Sequence, residues 1–284
     1  MMDILLQGLL LGGLYALFAL GQSLMFGVMR LTNTAQGDFI ILGGFAAISL
    51  AAATGLSPGL TVLLMAPAAF VFGYLLQRFV LNGTLGKDPL PSLVVTFGLA
   101  IIIQNLLLEV YSADPRSLDA GAVALDSITL GTATVGTLPL LTFGVALAAT
   151  IALQALFSFT AIGRSFRAVS DDREAAQLMG IRPAIVYAQA TGLAFVLIAI
   201  AGALQAMRTT VSPSDGPLLL LFAFEAVIIG GMGSFWGTLL GALLLGCAQQ
   251  IGFRFDPGWG IWFGHLTFLL VLLVRPQGLF PKTR

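Results

Sequence analysis

Apolar runs of membrane length recur from one end of this chain to the other, and that recurrence limits its fold more than any other feature. Runs of about 17–25 residues can cross a bilayer as helices. Candidate segments cover 4–29, 39–54, 60–80, 92–111, 138–159, 184–207, 218–230, 237–253 and 261–274. Several are short, and 218–253 reads either as two full spans or as two half-helices or a re-entrant pair. Eight or nine hydrophobic segments follow. In lipid, backbone N–H and C=O groups need partners within the segment, so these runs form helices. The chain is 58% hydrophobic and 9% charged, with mean hydropathy +0.98; a soluble domain carries about 25% charged residues. The expected fold class is an all-α polytopic membrane protein, one transmembrane domain over 1–284. Asp3 and the absence of Lys or Arg before the first run lack the character of a signal-peptide n-region, so the first span is expected to be retained.

One stretch breaks the pattern. Gly163 to Pro183 holds seven of the 26 formal charges: Arg164, Arg167, Asp171, Asp172, Arg173, Glu174 and Arg182. Each charge at the bilayer centre would cost about 2.5–3.5 kcal/mol on the mildest scale, so the stretch belongs outside the lipid. Four arginines against three acids favour the cytoplasmic side. Ser170 is placed to N-cap a short helix, with Asp171, Asp172 and Glu174 crowding its first turn. Gly180 ends it and Pro183 follows. Ala176, Met179 and Gly180 would share one side. A solvated loop that only sets topology is the plainer reading.

Basic residues orient the rest. With 163–183 inside, Arg30, Arg78, Lys87, Arg164, Arg167, Arg173, Arg182, Arg275, Lys282 and Arg284 fall inside, and Arg116, Arg208 and Arg254 outside. The N-terminus is then outside and the C-terminus cytoplasmic. The longest outer segment, 112–137, reads as a small β-hairpin, a surface helix or a plain connector, placed where a binding protein would touch an importer. Net charge is zero and no basic tract exists, so nucleic acid is not an expected partner. A phosphate-binding loop of the form G-x-x-x-x-G-K-[ST] is missing from the sequence. One Cys (Cys247) and one His (His265) leave no internal disulfide and make a metal cluster an unexpected feature; both read as packing residues.

Three stretches could line a solute path. Thr32-Asn33-Thr34-Ala35-Gln36-Gly37-Asp38 interrupts the first two spans with amides and hydroxyls. Such backbone is tolerated at depth where it lines a cavity or is buried in protein; the alternative is a helix N-cap at headgroup level. Glu225 lies within an apolar run and needs a partner, with Arg208 and Asn33 as candidates. Asp38-x₄-Gly43-Gly44 and Glu225-x₄-Gly230-Gly231 run in opposite directions in this topology. That is the pattern of inverted repeats with interrupted helices, whose site lies near the midplane. Gly233, Gly237 and Gly241 recur every four residues, as a close-packing ridge or a hinge. The candidate pathway residues are Asn33, Gln36, Gly37, Asp38, Gly43, Gly44, Glu225, Gly230, Gly231 and Gly233.

A resemblance now enters. Glu174-Ala175-Ala176-x-x-x-Gly180 resembles the EAA loop of ABC-transporter permeases, and G-R-S-F-R-A-V-S-D-D-R-E-A-A-Q-L-M-G-I is closely similar to the LivH/LivM family of branched-chain amino acid permeases. The I-x-L-P that follows an EAA loop elsewhere is replaced by Ala190-Thr191-Gly192-Leu193. Asn33-x-Ala35-x-Gly37 is similar to the family's N-F-A-H-G, with Gln36 in place of the histidine. Gly230-Gly231-Met232-Gly233-Ser234-x-x-Gly237-x-x-x-Gly241 and Arg275-Pro276-x-Gly278-Leu279-Phe280 also match family stretches. The resemblance implies a permease in the cell inner (plasma) membrane, not an enzyme, with no cofactor of its own. ATP would be bound by two cytoplasmic ATPase subunits, beside a second homologous permease subunit and a soluble extracytoplasmic substrate-binding protein. It makes Arg164, Arg167, Arg173, Glu174, Ala175, Ala176 and Gly180 the ATPase coupling loop. Two rival functions stand beside it: a urea or short-amide permease, and a proton-coupled secondary transporter using Glu225.

Overall fold

The computed structural model describes residues 2–86, 88–121, 123, 126–130 and 133–280. Lys87, Lys282 and Arg284, expected on the cytoplasmic side, lie outside the described residues, as does part of the 112–137 segment. The helices are α1 (Met2–Met29), α2 (Gln36–Thr54), α3 (Pro58–Phe79), α4 (Leu90–Tyr111), α5 (Thr137–Phe159), α6 (Ala161–Asp171), α7 (Arg173–Leu178), α8 (Pro183–Arg208), α9 (Gly216–Gly230), α10 (Phe235–Phe255) and α11 (Trp259–Val274). A hairpin of β1 (Ser127–Leu130) and β2 (Ala133–Gly136) precedes α5, with Ser127 opposite Gly136 and Ile128 opposite Val135. Among the described residues, the hairpin expected as one option for the outer segment is present at 127–130 and 133–136.

Seven helices, α1 to α5, α8 and α10, are long and apolar enough to span. α9 and α11 have 15 and 16 residues, or about 22–24 Å at 1.5 Å per residue, against a hydrocarbon core of about 30 Å. Of the pair read within 218–253, α9 is short and α10, at 21 residues, is full length.

α1 is the axis of the bundle. Ala16, Leu17, Phe18, Ala19 and Leu20 have no exposed surface. Water-driven burial gives little between helices in lipid, so close backbone approach and interhelical hydrogen bonds hold the bundle together. α10 lies against α1 where Gly8 and Gly12 face Gly246. α2 runs beside α8 where Gly202 faces the backbone at Ile40 and Gly44, and Phe39 stacks edge-on to Phe195 at 4.6 Å. Thr191 Oγ1 donates to Gln77 Oε1 (2.8 Å) between α8 and α3. Thr238 Oγ1 meets Ser23 Oγ (2.9 Å) between α10 and α1. Each such bond contributes about 0.6 kcal/mol in a bilayer.

Gln7, the hairpin, Arg208 and Gln250 surround one cavity at one end. There Arg116 and Val211 exchange backbone bonds of 3.0 and 2.7 Å. Arg30, Gly86, Asp171, Arg173 and Tyr187 surround a cavity of about 600 Å³ at the other end.

Candidate functional site

The polar break after α1 does not stay at the membrane surface. Gln36 opens α2, and its Nε2 donates to the carbonyl of Phe18 at 3.1 Å. Phe18 stands 11 residues before the end of α1, about 16 Å along its axis. α2 therefore begins well inside the helix bundle, part-way along α1. Asn33 holds the break, its Oδ1 accepting from the Ala35 amide at 3.0 Å. Thr34 is tied to α4 through Thr96, hydroxyl to hydroxyl at 2.8 Å. Ala35 is the N-cap residue of α2 and its side chain makes no cap bond.

α9 begins at the same place. Gly37 abuts the Gly216 carbonyl, and Gly216 abuts the Asp38 carboxyl group. Two helix N-termini, each carrying a partial positive charge, meet beside one buried carboxyl group, that of Asp38. A side chain at either glycine would drive into backbone or carboxylate, which is why this crossing has no Cβ.

Glu225 sits deeper in α9, 2% exposed, and its Oε1 lies 2.5 Å from Nδ1 of His265 on α11, a side chain 33% exposed. Neither Arg208 nor Asn33 is its partner, and His265 is more than a packing residue. The acid-x₄-Gly-Gly pair also fails to place its acids equivalently: Asp38 is in the first turn of α2, Glu225 in the tenth position of α9. What matches is the meeting of the two helix starts at Gly37 and Gly216. Tyr15 and Gln249, which no sequence motif singles out, lie in the same interior: Tyr15 Oη donates to Gln249 Oε1 at 2.6 Å, and the Tyr15 and Phe222 ring centroids are 4.8 Å apart. Unpartnered buried atoms remain at Gln22, Asn33 Nδ2, Gln36 Oε1, Glu225 Oε2 and Gln249 Nε2.

The glycine motifs resolve into packing. Gly43 faces Ala199 and Gly44 faces Gly202 on α8. Gly230 abuts Gly237, and Gly241 abuts Ala226, between α9 and α10. Gly233 stands before α10 in the left-handed region (φ +84°), so it belongs to the turn and not to the ridge. Ser234 caps α10 through the Gly237 amide (3.1 Å). The C-terminal stretch closes α9: Leu279 and Phe280 amides donate to the Ile229 and Gly230 carbonyls at 2.8 and 3.0 Å.

The charged stretch is two helices. α6 is N-capped by Thr160 and strongly amphipathic, with Phe166 and Val169 buried. Ser170 is not the cap of α7; it lies within α6, and its Oγ donates to the Gly27 carbonyl at 2.7 Å. Asp172 caps α7 instead, Oδ1 accepting from Glu174 and Ala175 amides at 2.9 and 3.0 Å. Asp172 has the extended backbone that an N-cap needs, whereas Ser170 is helical. α7 ends in a Schellman turn: Ile181 N–H to Ala176 C=O, Gly180 N–H to Gln177 C=O, with Gly180 at φ +84°. Ala176 is buried, while Leu178 and Met179 are 89% and 84% exposed, so Met179 does not share its side. Arg164, Arg173, Glu174, Ala175 and Gly180 are exposed; Arg167 is half-buried and donates to the Phe157 carbonyl.

Helices that start part-way along the bundle against a buried carboxyl group, among seven helices long and apolar enough to span, are the arrangement of a polytopic transport protein. Residues 4–274 match the family described as branched-chain amino acid transport system / permease component. The chain belongs to this family, and it is the membrane-spanning permease subunit of an ABC importer. It is 30% identical to the high-affinity branched-chain amino acid transport system permease protein BraD of Pseudomonas aeruginosa, over 98% of this chain and 95% of that one. It is 27% identical to LivH of Escherichia coli K12, of the same description, over 97% and 94%. Among solved structures, PsaBC from Streptococcus pneumoniae in complex with Fab shares the fold at TM-score 0.50 and 13% identity, covering 96% of this chain and 92% of that one.

Proposed function

We propose that this subunit imports branched-chain or related small amino acids, working with two cytoplasmic ATPase subunits that bind the ATP, a second homologous permease and a soluble extracytoplasmic binding protein. The N-terminus faces outward and the C-terminus the cytoplasm. The observation that carries the reading is near full-length similarity to BraD and LivH together with a capped, solvent-exposed α7. Neither rival, urea permease or proton-coupled transporter, is favoured by those matches.

The mechanism follows from what α6 and α7 touch. The ATPases grip α7 at Glu174, Ala175, Gly180 and the exposed Leu178–Met179 pair, flanked by Arg164, Arg167 and Arg173. Force passes through Ser170 to the end of α1, through Phe166 and Phe157 to Phe235 on α10 (centroids 5.4 and 4.9 Å), and through Arg173 over Tyr187 on α8. α1, α8 and α10 then rock as rigid bodies around the α2–α9 junction, where Asn33, Gln36, Gly37 and Asp38 flank the path; Glu225 lies below. Gly43, Gly44, Gly230, Gly231 and Gly233 let the helices beside it slide closely.

The test is uptake in proteoliposomes holding the whole transporter, with the binding protein from the same gene cluster. ATP-driven leucine, isoleucine or valine accumulation, indifferent to a proton gradient, is expected. Uptake that needs the gradient, or transport of urea in place of amino acids, overturns the reading. Impermeant thiol reagents on Cys247→Ser variants should label Ser117→Cys from outside and Gly180→Cys from inside; labelling of both from outside overturns the orientation.

A further inference from the structure

Arg208 carries a charge with no ion-pair partner among the described residues. It ends α8, and the backbone around it is clamped: Leu118 N–H donates to the Ala206 carbonyl at 2.8 Å, and Arg116 pairs with Val211. Its Nη1 is buried and makes no hydrogen bond among the described residues. The ion pair found among them, Glu225 with His265, lies elsewhere. A buried guanidinium nitrogen left unpaired is strongly disfavoured, and its planar fork matches a carboxylate.

The space beside it has the size and chemistry for one. Arg208, Gln7, Thr134, Gly136 and Gln250 line a cavity of about 190 Å³, with β2 of the hairpin in its wall. One residue inward, Gln249 has an unpartnered Nε2 and receives the Tyr15 hydroxyl. Tyr15 is within electrostatic reach of both Arg208 and Glu225, and Glu225 keeps an unpartnered, buried Oε2. Cationic, neutral and anionic groups thus succeed one another from the hairpin face inward, the order in which a zwitterion led by its carboxylate would use them.

Resting on the function proposed above, we infer that Arg208 and this hairpin-walled cavity are a carboxylate-binding site at the outer mouth of the route, taking the α-carboxylate of the amino acid. The assembled transporter carrying Cys247→Ser and Thr134→Cys tests it directly. Leucine and 4-methylpentanoate should slow impermeant maleimide labelling at 134, whereas leucinamide should not. Arg208→Gln should abolish this protection, and Arg208→Lys should keep part of it. In ATP-driven uptake Arg208→Gln should raise the KM for leucine about tenfold or more, as expected for a lost charge-assisted hydrogen bond.

Labelling unaffected by either carboxylate, or an unchanged KM in Arg208→Gln, overturns the inference and leaves Arg208 answering the α8 dipole. Protection by ligand-free binding protein alone overturns it too, pointing to an acidic side chain of that protein. The wild type separates the two levels. If it imports no amino acid, the functional reading falls and this site with it; if it imports leucine normally, a null result at Arg208 falls on the site alone.

Discussion

The α6–α7 face and the α9–α11 interior both use charge, and they use it in opposite ways. On α6–α7 the charges face water: Arg164, Arg173 and Glu174 are exposed, and order comes from backbone capping at Asp172 and Gly180. In the interior Glu225, on α9, is buried and joined to one imidazole. An exposed charge in high dielectric is worth little to stability and is free to serve docking. A buried one is costly unless paired, so it fixes helices in register. The exposed region should therefore tolerate substitution in the fold and fail in coupling; the interior should do the reverse.

The largest break expected is Gly37→Leu. Its side chain would meet the Gly216 carbonyl and the Leu220 amide, parting the two helix starts. Little or no monodisperse protein should survive size-exclusion chromatography; a normal elution profile would mean that the junction yields. Next comes the pair Glu225→Leu and Glu225→Gln. Leucine leaves His265 without its partner and should cost about 1–3 kcal/mol, read as a lower thermal midpoint. Glutamine keeps an acceptor for His265 and should retain most stability and uptake. Equal losses in both would show that the charge itself is required.

Gly180→Trp should leave unfolding stability within about 1 kcal/mol of the original, because nothing lies within contact of that position, though its left-handed backbone disfavours any side chain. ATPase co-purification and uptake should nevertheless vanish. Retention of both would remove the coupling role from α7. The smallest effect is at Asp172→Ala, which removes two cap bonds worth about 1 kcal/mol. Uptake should fall partially, with Asp172→Asn close to wild type; an Asn variant as weak as Ala would show that the carboxylate does more than cap.

The sequence by itself determined the spans, because twenty apolar residues in lipid have one backbone solution. It marked 163–183 as a charged stretch carrying a short helix, since charge and capping chemistry are local. It also marked 32–38 as a break and Glu225 as a group in need of a partner. The structure alone decided what those groups meet. Ser170 and Asp172 are both good caps, and the choice fell to the longer reach of α6, which made Ser170 helical and tied it to Gly27. Glu225 found His265, 40 residues away, and Tyr15 found Gln249 across 234. Such pairings depend on which helix faces turn toward one another. That is set by where glycines permit close crossing along several helices at once, as at Gly37 with Gly216 and Gly202 with Gly44. The depth at which α2 begins has the same origin: one amide reaching the Phe18 carbonyl, a contact between segments whose polarity alone gives no measure of depth.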